Sequence, residues 1–299
     1  TKYAYDNWKS PKLKFLFIVG DANWDYLDAM RKGVINYVPT YTYTYFASDH
    51  YYAAMDSTNN KPAFAIGRLP AKTSEDVKNY VNKLLEYETD TTNLDWTQKA
   101  ILVAGYEPMF TTDMDQYAKH ISPTYKIVSC YAQTLPEFSV GLKDNETRDL
   151  IQKSFSEGAG LAAFVGHGTF GQWSDRSLLT VADITTLKSI KIPVVLSMTC
   201  YTGRFEHETD TYGIGELLVK KPNSGSVAFI GSTGRSSVSS NSRMLRTITD
   251  SLISKKVKTI GEALLLSKME MSPWETDQLY SYVLLGDPAL QFKLPVQAK

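Results

Sequence analysis

Gly160-Leu161-Ala162-Ala163-Phe164-Val165-Gly166-His167-Gly168 and Pro193-Val194-Val195-Leu196-Ser197-Met198-Thr199-Cys200 are the two stretches that decide the reading of this chain. Each opens as an apolar run, broken only by Ser197 in the second, the pattern of a strand whose two faces are both covered, and each leads into a side chain capable of chemistry. Runs of the same kind recur at 14–20, 63–67, 99–105, 125–131 and 226–231, several of them ending in Gly. Between them lie segments with helical period. Thr73 or Ser74 opens one, with Asp76 placed as in a capping box and Val77, Val81, Leu84 and Leu85 as its apolar stripe through to Glu88. Further helices are expected at about 114–121, 146–156, 213–220, 242–254 and 260–269. Strands alternating with helices give an α/β fold, an α/β/α sandwich around a mostly parallel sheet with right-handed crossovers.

The 299 residues suffice for one large domain or two small ones, and the polar run 89–95 is a plausible boundary, dividing an N-terminal subdomain at 1–92 from a catalytic one at 93–299. The tyrosine-rich stretch 24–52 contains the alternation Tyr41-Thr42-Tyr43-Thr44-Tyr45, expected to form one half-exposed strand. Composition excludes whole classes. Hydrophobic residues make up 43% and charged residues 21%, which is globular rather than disordered. Lys plus Arg and Asp plus Glu both total 32, so no basic field exists to collect nucleic acid. No apolar run reaches the length of a membrane span. Thr1 opens the chain without an initiator Met or a signal-type apolar segment, as expected of a processed product or a piece of something longer.

In an open parallel sheet, ligands gather at the carboxyl ends of the strands, where loops converge. If the two quoted strands are neighbours, His167 and Cys200 meet at one sheet edge. A thiolate is the reactive form of cysteine, and an adjacent imidazole raises its population and can protonate a leaving amine. Glycines flanking His167 allow close backbone approach, and the Gly168 and Cys200 amides would make an oxyanion hole. Read singly, His167 would be a structural residue in a glycine turn and Cys200 a buried small hydrophobe; read together, they make an acyl-transfer site. Cys130, within an apolar strand, reads as packed. The remaining histidines, His50, His120 and His207, lack metal-ligand spacing, while Glu206, Glu208 and Asp210, or Asp21, Asp25 and Asp28, offer oxygen ligands for a hard cation or are simply solvated acids. P-loop, complete dinucleotide and Gly-x-Ser-x-Gly signatures are absent.

The Gly166-His167-Gly168 turn, the later Cys200, the Ile66-Gly67-Arg68-Leu69 strand before the capped helix, Ser226 to Thr233 and Val283-Leu284-Leu285-Gly286-Asp287-Pro288-Ala289-Leu290 together resemble the gingipain family of the caspase-like clan of cysteine peptidases, over residues 14–295. The resemblance implies a caspase-like fold, a thioester acyl-enzyme, Cys200 as nucleophile, His167 as acid/base and Glu107 as the carboxylate that orients it. It places Val165, Gly166, Met198 and Ser232 around the substrate, and implies secretion or cell-surface placement and protein or peptide substrates. It suggests structural calcium, with no cofactor needed for catalysis. Members that cut after arginine hold the cation with an acid and an aromatic ring; here the corresponding loop reads Gly234-Arg235-Ser236-Ser237-Val238 and carries no ring, and Asp113 and Asp115 are the acids on offer. Kinship alone favours basic residues at the cleavage site. Three other readings use the same residues: a sortase-like transpeptidase of a secretion system, an inert peptidase-fold binding or adhesion module, and a sugar- or nucleotide-binding α/β domain.

Overall fold

A computed structural model describes the chain except for residues 57, 93, 133–141, 208–210 and 296–299. The elements are α1 (Lys2–Asn7), β1 (Phe15–Val19), β2 (Tyr41–Tyr43), β3 (Phe46–Ser48), β4 (Ala65–Leu69), α2 (Ser74–Thr89), β5 (Lys99–Ala104), α3 (Pro108–Ile121), β6 (Lys126–Tyr131) and α4 (Leu142–Glu157). They continue with β7 (Leu161–Val165), β8 (Gly168–Thr169), β9 (Gln172–Trp173), β10 (Leu179–Thr180), α5 (Val181–Thr186), β11 (Val194–Met198), α6 (Ile214–Lys220), β12 (Ala228–Ser232), α7 (Val238–Ile253), α8 (Ile260–Met269), α9 (Thr276–Ser281) and β13 (Tyr282–Leu285). Among the described residues, eight strands form the main sheet in the order β1-β4-β13-β12-β11-β7-β5-β6. All neighbours are parallel except β12 and β13, so two parallel blocks of opposite direction are joined at that step.

The apolar runs are continuous because helices cover both faces. Ala100, Leu102 and Ala104 of β5 join one core with Phe110, Met114 and Tyr117 of α3 and with Met244, Leu245 and Ile248 of α7. Ile101 and Val103 point the other way, into a core with Tyr80 of α2, Phe155 of α4 and Leu218 of α6.

Several expectations need correction. Thr73 and Asp76 do form the capping box of α2, but the buried face of that helix is Tyr80, Lys83 and Tyr87. Of the expected stripe, Val77 and Leu84 are half-buried against the core, while Val81 and Leu85 are 42% and 53% exposed. The buried residues have apolar bodies and polar tips that find partners. Tyr80 Oη donates to the Val227 carbonyl and accepts from the Asp287 amide, Tyr87 Oη accepts from the Lys293 amide, and Lys83 Nζ donates to the carbonyls of Leu218, Val219, Lys221 and Ser224 at the end of α6. Helix α3 starts at Pro108, a turn and a half before the expected residue 114, because proline suits the first helical position, where its missing N–H costs nothing. The alternation 41–45 is a strand only as far as Tyr43; Thr44, at φ 57°, turns the chain into a hairpin with β3. The C-terminal motif contains β13, which bridges the two sheet blocks.

Candidate active site

Register brings the chemistry to one edge. Val165 of β7 pairs with Met198 of β11 and with Ala104 of β5, so His167 and Cys200 both stand two residues beyond paired positions, and Glu107 three beyond its own. Glu107 Oε1 lies 3.1 Å from His167 Nε2. Among the described residues its other oxygen, Oε2, is buried without a hydrogen-bond partner. Glu107 precedes α3 but does not cap it with its side chain, which reaches the imidazole instead; its charge at the positive end of the helix is favourable. The Phe110 ring meets His167 edge-on, at 5.3 Å and 87°. The His167 side chain itself is 60% exposed, open to a ligand.

The loops after β7 and β11 are fastened to each other. Thr199 Oγ1 donates to the Gly166 carbonyl at 2.6 Å, and a Cβ on Gly168 would come within 2.6 Å of Thr199 Cγ2 and 3.0 Å of the Cys200 carbonyl oxygen. Only glycine allows that approach. Beyond it, β8 and β9 form a small hairpin that donates the Ser174 amide to the His167 carbonyl and drives Trp173 into the core, where its indole N–H reaches Ser197 Oγ at 2.9 Å. Among the described residues, no turn or loop hydrogen bond is donated by the Gly168 or Cys200 N–H.

Cys200 is half-buried, and its sulfur accepts from the Ser236 N–H at 3.3 Å. Ser236 is held in turn. Asn241 Nδ2 donates to Ser236 Oγ at 3.0 Å and to the Met198 carbonyl at 3.1 Å, while Asn241 Oδ1 accepts from the buried Tyr282 hydroxyl at 2.6 Å. Ser236, Asn241 and Tyr282 were not legible as site residues, although Asn241 carried a signal: it interrupts the apolar stripe of α7 ahead of Met244, Leu245 and Ile248. A helix read from residue 242 leaves it out. Cys130 is wholly buried, and burial pushes its thiol up to about 11.

Val165, Met198 and Ser232 are buried in the strand ends, with the Ser232 hydroxyl donating to the Gly234 carbonyl, so they lie beneath the open edge; Gly166 packs against Phe164 and Gly105. The 234–238 loop itself carries no ring, and the Tyr45 and Tyr201 side chains lie beside Arg235. Asp113 accepts from Ser242 of α7 and Asp115 faces Tyr131 of β6.

Asp25 accepts the Ala29 and Met30 amides, Asp28 the Gly33 amide, and Asp21 the Ala22 amide with Lys72 at 3.6 Å. Glu206 is paired with Arg204 at 3.2 Å; Glu208 and Asp210 lie outside the described residues. Each described carboxylate thus serves a turn or a protein cation. Among the described residues, no group of three His, Cys, Asp or Glu could hold a metal ion. His50, His120 and His207 have separate partners in the Asn60 carbonyl, Asp250 and Glu216.

Known proteins share sequence and fold with this chain. Gingipain R2 of Porphyromonas gingivalis is 23% identical over 266 residues, 84% of this chain and 36% of that protein; Lys-gingipain of the same organism is 24% identical over 190 residues, 63% of this chain and 11% of that protein. The chain therefore spans well under half the length of these curated relatives. An uncharacterized protein of Archaeoglobus fulgidus is 24% identical over 261 residues, 78% of this chain and 63% of its own length. The crystal structure of the Arg specific cysteine proteinase gingipain R superposes with a TM-score of 0.81 at 20% identity, covering 99% of this chain and 68% of that one, which makes the fold caspase-like. The profile of Peptidase family C25 matches residues 1–293, and the chain belongs to that family.

Proposed function

We propose that the protein is a cysteine endopeptidase in which Cys200 attacks a peptide carbonyl and His167 handles the protons. The observation that carries this is the Glu107–His167 pair, at 3.1 Å, with His167 following β7, the strand that runs beside and in register with β11, after which Cys200 stands. In this mechanism the Cys200 thiolate adds to the carbonyl carbon, and the Gly168 and Cys200 amides receive the oxyanion. His167 gives its proton to the departing amine, leaving a thioester; it then takes a proton from water, whose oxygen displaces the sulfur and releases the acid. Glu107 fixes the tautomer of the imidazole and supports its charged form. Val165, Gly166, Met198 and Ser232 form the floor of the site, with residues 1–92 and 93–299 as the two parts of the catalytic unit. Membership of a peptidase family supports protein or peptide substrates. Kinship with gingipains supports secretion or placement at the cell surface; among the described residues no helix is long and apolar enough to cross a membrane.

The test is cleavage of a denatured proteome by the wild type, with Cys200→Ala and His167→Ala as controls. New termini that vanish in both variants are expected, and Glu107→Gln should lower kcat by about tenfold or more through loss of the oriented tautomer. Termini that persist in Cys200→Ala would overturn the assignment. Ligated rather than hydrolysed products when an amine is supplied would convert it to a transpeptidase.

A further inference from the structure

Between the β2–β3 hairpin and the chain leaving Cys200 lies a cleft of about 220 Å³, lined by Trp24, Thr42, Tyr45, Phe46, Ala47, Arg204 and Glu206. Its wall at Arg204 lies four residues along the chain from the candidate nucleophile and is tied to the loops around it. The Tyr201 N–H donates to the Gly234 carbonyl at 2.9 Å, the Arg204 N–H to the Tyr201 carbonyl at 3.1 Å, and Phe46 lies so close to Gly234 that a Cβ there would fall 2.6 Å from its ring. The hairpin is fastened in this position by Thr233 Oγ1 donating to the Ala47 carbonyl and Ser48 Oγ to the Tyr280 carbonyl, both at 2.6 Å.

The chemistry of the walls selects the occupant. Trp24 and Tyr45 are 43% and 53% exposed, so their ring faces are open to a ligand, and Tyr45 stands edge-on to Phe46 at 5.2 Å. The two charged side chains, Arg204 and Glu206, are joined at 3.2 Å, and the carboxylate is buried. The cleft therefore offers aromatic faces and a balanced ion pair rather than net charge. Its volume is below the roughly 300–1,000 Å³ of sites that engulf a whole drug-sized ligand, and suits one side chain.

We propose that this cleft is a substrate subsite that takes an aromatic side chain of a bound peptide, at a position other than the residue acylating Cys200. The proposal rests on the peptidase reading, and binding separates the two. Cys200→Ala protein is titrated with acetylated hexapeptide pools in which one position is fixed as Phe or Ala, read by fluorescence anisotropy. At one position, Phe is expected to bind about tenfold tighter than Ala, as an aromatic contact plus burial of its ring would give. Thr42, exposed on β2, is then changed to Trp to fill the cleft, and the tenfold preference should fall to about unity. A Phe preference that survives Thr42→Trp, or no Phe preference at any position, overturns the subsite. Wild-type protein that binds the Phe pools but cleaves none of them leaves the subsite standing and removes the peptidase.

Discussion

Asn241 is the most informative residue to change, because three groups around Cys200 depend on it. Its amide joins the Tyr282 hydroxyl, the Met198 carbonyl and Ser236 Oγ, and Tyr282 is wholly buried. Asn241→Ala leaves the Tyr282 hydroxyl without its acceptor, a cost of about 1–3 kcal/mol, and the Met198 carbonyl and Ser236 hydroxyl lose a donor. Ser236 is half-buried and water reaches part of it, so its loss is the smallest of the three. The sum is about 3 kcal/mol. Unfolding entropy near 2.1 cal/mol/K per residue over 299 residues gives roughly 0.6 kcal/mol/K, so Tm should fall by about 5 °C. Tyr282→Phe alone orphans the Asn241 carbonyl oxygen and should cost about 1–2 kcal/mol. The double variant removes both ends of that bond, and should cost at least about 1 kcal/mol less than the sum of the singles. Thermal melts followed by circular dichroism complete the cycle. Additivity within about 0.5 kcal/mol would refute the shared bond, and with it the view that Asn241 anchors the loop whose Ser236 amide touches the sulfur.

The two thiols should differ sharply in reactivity: with Cys130 pushed up to about 11 by burial, only about one in a thousand of its sulfurs is ionised at pH 8, so iodoacetamide should modify Cys200 first, and equal rates by mass spectrometry would contradict the burial. Asp21 is raised from 3.8 to about 7, mainly by burial and secondarily by Glu216, so the stability it contributes is fully present below about pH 4 and lost as pH rises through 7. Asp21→Asn should accordingly gain on the wild type in Tm between pH 4 and pH 8, whereas a constant difference would contradict the shift. On α2, Lys83→Met should cost about 2–4 kcal/mol by stripping four carbonyls of their donor, while Leu85→Ala should cost under about 0.5 kcal/mol; a reversed order in urea unfolding would return the buried face to the apolar stripe.

Much of the architecture was readable because it is written in local patterns. Apolar runs near 99–105, 160–166 and 193–198 match β5, β7 and β11 to within a residue or two, since a strand covered on both faces admits almost no polar side chain. The cap at Thr73 and Asp76 was readable for the same reason, as both partners lie within one turn. The fully buried residues of α2, Tyr80, Lys83 and Tyr87, were not. Hydropathy ranks Val and Leu above Tyr and Lys, yet the carbonyls that accept from Lys83 and Tyr80 come from residues far along the chain, and their positions appear only once α6 and β12 are packed.

The candidate site divides along the same line. The order of chain elements and the types of residue at the strand ends pointed to Cys200 and His167, because loops at the carboxyl ends of parallel strands must converge, while Glu107 was pointed to by the family resemblance alone. That Glu107 meets the imidazole depends on β5 lying beside β7, a neighbour relation that sequence order does not specify, since the chain runs through β6 between them. Ser236, Asn241 and Tyr282, and the Tyr45 ring beside Arg235, belong wholly to the tertiary structure. Tyr45 and Arg235 are 190 positions apart, and only the docking of the β2–β3 hairpin against the loop after β12 puts them in contact. The sequence alone determined most strands of the main sheet, the principal helices between them and the residue types beyond the strand ends, for these follow from period and turn residues within a few positions. Which side chains surround the sulfur was decided by strand order and hairpin docking, because hydrogen bonds between distant segments leave no local periodicity to read.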